Sequence, residues 1–423
     1  MNRIIKSFDT KLDFVLAILF ILIVPLLVSG PFLPDLILSA LGLTFLIMTI
    51  RNNNLFIYYN KKFTILFILF YLIILTSSLL SQNILLSLES SLFYFRYYFF
   101  SIFVFYFISK YSFIKNIFLT ISLLTFVFLS IDAVFQYFNK YSLFFSIPIY
   151  DTYRASSLFL DELKLGNYIV RLMPIIFALL IINRKLKKIE FVLLAIFSFA
   201  ILVSGERTAL GLLLIFIFFH LAINLNFKTI FIYILSFLVV FFSLFFTENN
   251  IKERMFSYSY DQIFEEKSKY SSINIFSEQH TGHYIAAIEM FFDKPILGIG
   301  PKIFREECKK LKYQKNEYAC TTHPHNTYIQ LLAETGVIGF SIVLLIFLLS
   351  LTMIIKLIFN KDKSLNDLAF YYLILSIFIN LWPIAPSFNF FNNWINIIFY
   401  LPVGFILYFN DKYLSNKKIK EIN

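Results

Sequence analysis

The sequence predicts an all-α integral membrane protein of about twelve transmembrane helices with one large loop outside the cytoplasm. Apolar runs of about 20 residues, the length that crosses a bilayer as a helix, recur along almost the whole chain. Only 15% of residues are charged, where a soluble domain has about 25%, and the mean hydropathy is +0.76. The basic residues fall in alternate inter-helix loops rather than evenly, which gives the bundle an orientation.

In chain order, the apolar runs at residues 12–29, 32–50, 63–81, 92–109, 113–138, 166–183, 189–204, 207–224, 228–247, 327–358, 365–383 and 392–409 are read as spans. Arg3, Lys6 and Lys11 precede the first run, which ends in Ser29-Gly30-Pro31 and leads straight into another. It is therefore read as an uncleaved signal anchor. The N-terminal side of the membrane collects Arg51, Lys61, Lys62, Lys110, Lys115, Arg184, Lys185, Lys187, Lys188, Lys228, Lys356, Lys361, Lys363 and the C-terminal lysines. The opposite short loops hold only Lys140, Arg154 and Lys164, with Arg207 at a helix mouth. This positive-inside bias puts both termini in the cytoplasm. It also accounts for the net charge of +11 without nucleic acid.

The expected organisation is nine helices in 1–247, a partly helical outer loop in 248–325, and three helices in 326–423. The loop balances its acidic and basic residues, and long loops translocate regardless of charge. Within it, Gly282–Asp293 reads as an amphipathic helix and Lys294–Gly300 as a turn. Pro301–Lys312 reads as a second helix that opens on proline. Both cysteines, Cys308 and Cys320, fall here. On an oxidising side of the membrane they are expected to pair, a closure worth about 3 kcal/mol in the chain-entropy model.

Charge within a bilayer is costly and marks function. Arg96, Asp132, Arg171 and Arg207 all lie towards the outer ends of their helices, and Arg154 lies in the outer loop that feeds the sixth. Four of the five histidines (His280, His283, His323 and His325) belong to the large loop, while His220 lies near the cytoplasmic end of its helix. Arginine stays charged and grips phosphate oxygens with a planar fork, so an anionic lipid head is the expected ligand. The competing reading for each arginine is snorkelling or ion pairing, as of Arg96 or Arg171 with Asp132. The histidine pairs raise a metal site, but no Cys2His2 or His-Glu-x-x-His spacing is present. No metal and no cofactor are expected.

The most informative stretch runs from Thr322 to Gly339. Pro324 ends what precedes it, and from Asn326 the pattern is helical, with Asn326, Gln330 and Glu334 on one stripe and Tyr328 on another face. His325 thus stands at a helix mouth on the membrane boundary, with His323 beside it.

The run His325-Asn326, nine residues, then Gly336-Val337-Ile338-Gly339 resembles the signature of the O-antigen ligase and O-antigen polymerase superfamily. Ser204-Gly205-Glu206-Arg207-Thr208, Phe292–Gly300, and Phe159-Leu160-Asp161-Glu162 leading to Gly166-Asn167-Tyr168 are similar to it as well. The resemblance implies a membrane glycosyltransferase fold of the GT-C type in a bacterial inner membrane. It implies transfer of a glycan from undecaprenyl diphosphate to an acceptor hydroxyl, such as that of lipid A–core, on the periplasmic face without a metal. Carried over by position, His325 is the general base and Arg207 a diphosphate anchor; the arginines gathered on the outer face add Arg171, Arg154 and Arg96 as expected diphosphate contacts, and His283 is a further candidate. His323, Asn326 and Tyr328 support them. Where relatives carry an arginine before the first loop helix, this chain has His280-Thr281-Gly282-His283; protonated His283, Arg254 or Arg305 would fill that place. In-line attack predicts inversion. The alternatives are a polymerase that joins repeat units on the same carrier and a transporter of lipid-linked sugars. The latter usually shows two related halves, and no internal repeat is visible.

Overall fold

The computed structural model describes residues 7–149, 154–183, 189–224, 249–265 and 276–422, together with positions 235, 238 and 242. The regular secondary structure among the described residues is helical, with turns and irregular loops between the helices and an isolated bridge at Tyr141–Pro148. In order the helices are α1 (Lys11–Leu26), α2 (Phe32–Arg51), α3 (Lys61–Leu79), α4 (Ile84–Ser91), α5 (Phe95–Lys110), α6 (Ile114–Asn139), α7 (Leu165–Ile182), α8 (Glu190–Val203) and α9 (Arg207–Asn224). After them come α10 (Glu278–Asp293), α11 (Thr327–Phe359), α12 (Leu365–Asn380) and α13 (Asn393–Ile422). Between α9 and α10, residues 249–265 wind helically with π-type turns at Glu253–Ser257 and Asp261–Glu265.

Among the described residues, eight segments are long and apolar enough to cross a membrane, and α8, α9 and α12 are shorter apolar helices. The span expected at 228–247 lies outside the described residues, apart from three isolated positions. So do the basic clusters at 184–188 and at Lys228. The helix starts have side-chain caps where the sequence supplies them. Thr10, Asn60, Asn83, Ser277 and Asn326 each accept a first-turn backbone N–H, and Ser364 forms a reciprocal capping box with Asp367. Around the rim, Leu12, Leu36, Leu43 and Ile65 face outward, as lipid-facing positions do. At the centre, every residue of α7 from Leu165 to Ile181 is buried, packed among α6, α8, α9 and α12.

Three expectations are corrected. α11 is not a continuous rod. It breaks at Gly336 (φ 63°, ψ −171°), a backbone region open essentially to glycine alone. Into the break docks the 295–300 turn: Val337 N–H donates to Pro295 O at 2.8 Å, Ile299 N–H to Ala333 O at 2.9 Å and Gly300 N–H to Glu334 O at 3.0 Å. A Cβ at Gly336 would overlap the Ile296 backbone, and one at Gly298 would overlap Glu334, so the two glycines let two backbones touch. The second correction concerns 301–312. Only Phe304–Glu307 is α-helical there, followed by a 3-10 turn at Leu311–Tyr313. Lys302 is left-handed (φ 61°), and Phe304 N–H is drawn to the Glu334 carboxylate at 3.2 Å. Cys308 and Cys320 are disulfide-bonded with Cα atoms 4.9 Å apart. α10 also starts earlier than Gly282 because Ser277 caps it.

Gly336→Ala is therefore expected to lower the thermal unfolding midpoint in detergent, from backbone strain of about 1–3 kcal/mol and from the lost docking of the turn. Gly211→Ala is the control, since a Cβ there meets nothing within 4 Å. Equal midpoints for the two variants would refute the docking argument.

Candidate functional site

The site is assembled where three loops meet the mouth of α11. Asn326 caps that helix by accepting from Tyr328 N–H and Ile329 N–H at 3.0 and 3.1 Å, and its Nδ2 donates to Pro383 O at 2.8 Å. One turn on, Gln330 Nε2 donates to Glu334 and to Asn389 Oδ1, while its Oε1 accepts from Phe390 N–H at 2.9 Å. The polar stripe expected from the sequence therefore faces protein, and it clamps both the 383–390 loop and the 300–304 turn.

His325 precedes the cap in the left-handed region (φ 58°), an uncommon conformation for a residue other than glycine. Ser387 holds it there, with its N–H donating to His325 O at 2.7 Å. Thr327 Oγ1 donates to Ser387 Oγ at 2.9 Å. A strained backbone fixed by its surroundings is often found at working sites.

Around the His325 ring stand the other three loop histidines. Ring centroids lie 4.0 Å away for His323, 5.5 Å for His280 and 5.6 Å for His283. Neither ring nitrogen of His325 has a hydrogen-bond partner among the described residues. His323 is tied down, with Nδ1 2.9 Å from Thr322 Oγ1 and Nε2 3.3 Å from Ser387 O. Burial is the main force lowering the pKa of all four. It carries His325, with its histidine neighbours adding, down to about 3 and His323 down to about 4. The cluster is thus neutral at neutral pH. This disfavours a protonated His283 as an anion contact, and it puts His325 well below the operating pH until something anionic arrives. Among the described residues, no three His, Cys, Asp or Glu side chains are grouped to hold a metal ion.

On its other side His325 lines a cavity of 260 Å³ with Arg154, Arg207 and Arg254. Arg207 opens α9 and reaches Gln262 Oε1 at 3.3 Å and Ser259 Oγ at 3.4 Å. Arg254, one turn before them, donates to Gly205 O at 3.4 Å. Arg154 donates to Leu163 O at 3.3 Å. Glu206 also lines the wall, accepting from Gly166 N–H and Asn167 Nδ2, both at 2.6 Å. Burial raises its carboxyl, offset in part by those two residues and Arg154.

The remaining sequence candidates lie elsewhere. Arg171 is buried on α7, bonded to Asn167 Oδ1 at 3.2 Å and Asn380 Oδ1 at 3.2 Å. It braces the cavity wall through Asn167 rather than lining it. Arg96 is in a second cavity, paired with Asp35 at 3.1 Å. Asp132 pairs with neither arginine; it accepts from Leu143 N–H and Ser157 Oγ. Tyr328 is a packing residue whose hydroxyl donates to Leu381 O at 2.7 Å. His220 joins Tyr372 and Glu190 inside the bundle. Sequence reasoning missed Ser387 and Glu206. The Pro383-x-x-Pro386-Ser387 break between two apolar runs was the available signal for the first.

Because all four loop histidines have lowered pKa values, acid should destabilise the fold. The unfolded chain takes up protons below about pH 6.5, while the folded cluster resists until lower pH. Stability is therefore fully present above that point and declines as pH falls towards the folded values. The unfolding midpoint should drop between about pH 7.5 and pH 5, and less so in a His280→Gln/His283→Gln variant. An equal drop in that variant would assign the effect to other groups.

These features define a helical membrane protein with a neutral imidazole cluster beside a guanidinium-lined cavity at one end of its bundle. Residues 192–344 match the family model described as O-antigen ligase, and over that stretch the chain is similar to the O-antigen ligase and polymerase superfamily. Members of this family are glycosyltransferase-like ligases and polymerases. The match runs from α8 into the first turns of α11 beyond Gly336, so it contains Arg207, Arg254 and the histidine cluster but not Arg154 or Ser387. No curated protein matches the chain.

Proposed function

We propose that the protein moves a glycan from a lipid-linked diphosphate, undecaprenyl diphosphate, to an acceptor hydroxyl, as an O-antigen ligase does with lipid A–core. The observation that carries this reading is the single cavity in which the His325 imidazole meets three guanidinium groups. Arg207, Arg254 and Arg154 hold the diphosphate and offset the charge that grows on it as the glycosidic bond breaks. Of the three residues the sequence offers for the relatives' loop arginine, His283, Arg254 and Arg305, Arg254 takes the place in this reading. The bound anion favours the protonated imidazole, so donor binding raises the basicity of His325. His325 then accepts the proton of the acceptor hydroxyl while its oxygen attacks the anomeric carbon. The bond to the diphosphate breaks, and the carrier leaves with the electron pair. Attack opposite the leaving group inverts the centre.

In this reading the bundle crosses the inner membrane about twelve times with both termini cytoplasmic, and residues 248–325 lie in the periplasm beside the donor head. Ligase and polymerase share that donor and differ in acceptor. The deciding experiment is a chromosomal deletion analysed for surface polysaccharide. Full-length polymer left on its lipid carrier identifies a ligase, single repeat units on the core identify a polymerase, and an unchanged profile contradicts both.

A further inference from the structure

Arg96 stands apart from the other arginines, and what it does instead points to a second binding site. Its Nε donates to Asp35 at 3.1 Å, Nη1 to Phe93 O at 2.8 Å, and Nη2 to Tyr97 Oη at 2.9 Å and Asn393 Oδ1 at 3.0 Å. Asn393 Nδ2 in turn donates to Asp35 Oδ2 at 3.0 Å. A guanidinium has five N–H donors, so Arg96 has little left with which to grip a phosphate.

The cavity it lines is 520 Å³, twice the volume of the one at His325, and lies within the roughly 300–1,000 Å³ typical of ligand sites. Its ionised lining groups, Asp35, Glu89 and Arg96, sum to a formal −1, and Lys302 nearby brings the neighbourhood to zero, so it lacks the excess of positive charge seen in the His325 cavity. Carboxylates and an amide accept hydrogen bonds from hydroxyls, and Phe93 and Phe99 add apolar wall. On the outward side Leu43 is 56% exposed and Phe93 55% exposed, so the cavity opens where lipid would lie. A line of charges leads from it to the first site. Lys302 is within electrostatic reach of Glu89, Arg96 and Arg305, Arg305 is within reach of His323, and His323 touches His325.

We propose that the Asp35–Glu89–Arg96–Asn393 cavity binds the hydroxyl-rich head of a membrane-anchored saccharide, the acceptor of the transfer. The assignment to the acceptor rests on the reading of the His325 cavity as the donor site. Saccharide hydroxyls donate to Glu89 and to the remaining lone pairs of Asp35, whose two oxygens already accept from Arg96 and Asn393, whereas a diphosphate only accepts.

The test uses the full-length protein in a sugar-free zwitterionic detergent and a diazirine-bearing octyl glucoside as the probe. Crosslinks should map to residues in 35–46 and 89–99, be competed by octyl glucoside and not by octyl phosphate, and fall about tenfold in Glu89→Gln, the loss of one charge-assisted hydrogen bond. The lipid-facing Leu43→Trp, which fills the cavity, should remove them too. Equal competition by both alkyl compounds, or labelling unchanged in both variants, overturns the site. In transfer assays Glu89→Gln should raise the KM for a glycolipid acceptor about tenfold and leave the donor KM alone. A raised donor KM instead overturns the acceptor assignment. The crosslinking does not depend on turnover, so intact labelling without any transferase activity would count against the proposed reaction and not against the saccharide site.

Discussion

Replacing His325 with alanine is expected to lower glycan transfer by about 10²–10⁴-fold, the usual contribution of a positioned general base, with the protein still inserted and folded. The argument rests on what surrounds the ring. Its backbone is held by Ser387 and its helix by the Asn326 cap, so removing the imidazole leaves the scaffold in place. The pH profile separates a base from a packing residue. In the unliganded protein, burial and the neighbouring histidines hold His325 near a pKa of about 3. kcat/KM, which reports the free enzyme, should therefore stay level on acidification to about pH 5, below which ordinary carboxylates begin to titrate. In the donor complex the diphosphate stabilises the imidazolium, so the acid limb of kcat should lie at higher pH than that of kcat/KM. His325→Ala with full activity, or coincident acid limbs for the two parameters, would remove the imidazole from the mechanism.

Loop charge assigns each arginine an expected depth in the membrane but no position around the bundle. Alternating loop charge puts Arg96, Arg171 and Arg207 at similar depth, but it carries no information on which neighbouring helix each one meets. Arg96 sits on α5 against α2 and α13, and there it finds Asp35 and Asn393. Arg171 faces Asn380 on α12. Of these three, only Arg207, at a helix mouth next to a polar turn, shares the cavity with His325. The His325-Asn326 pair was readable because capping is local chemistry. Asn326 caps the helix it opens, and the residue before a cap is free to leave helical geometry. The break at Gly336 was not readable, since apolar periodicity runs straight through it. Its cause is the 295–300 turn, about forty residues upstream. The missing helix at 301–312 has the same origin: the local pattern is helical, but bonds to Glu334 and the Cys308–Cys320 bridge outweigh a propensity of tenths of a kcal/mol per residue.

Arg207→Ala is expected to lower kcat by about 10²–10³-fold, comparable to removing one preorganised donor from an anion-stabilising site. Arg207→Lys should recover only part of that. Lysine restores the charge but offers a compact ammonium where the fork presents two parallel donors, and it cannot bond Gln262, as Arg207 does, while presenting a planar fork to a diphosphate. Arg254 supplies the sharper comparison because it lines the same cavity from a different element. Two guanidinium groups that grip one diphosphate are coupled through the ligand, so the losses in Arg207→Ala and Arg254→Ala should not add in the double variant. Strict additivity in kcat, with each single variant also shifting the unfolding midpoint by the same amount as the double, would show that the arginines brace the π-type turn at Glu253–Ser257 rather than hold the leaving group. The expected pattern is the opposite: midpoints that barely move, a double variant little worse than the more damaged single, and donor KM rising with each guanidinium removed.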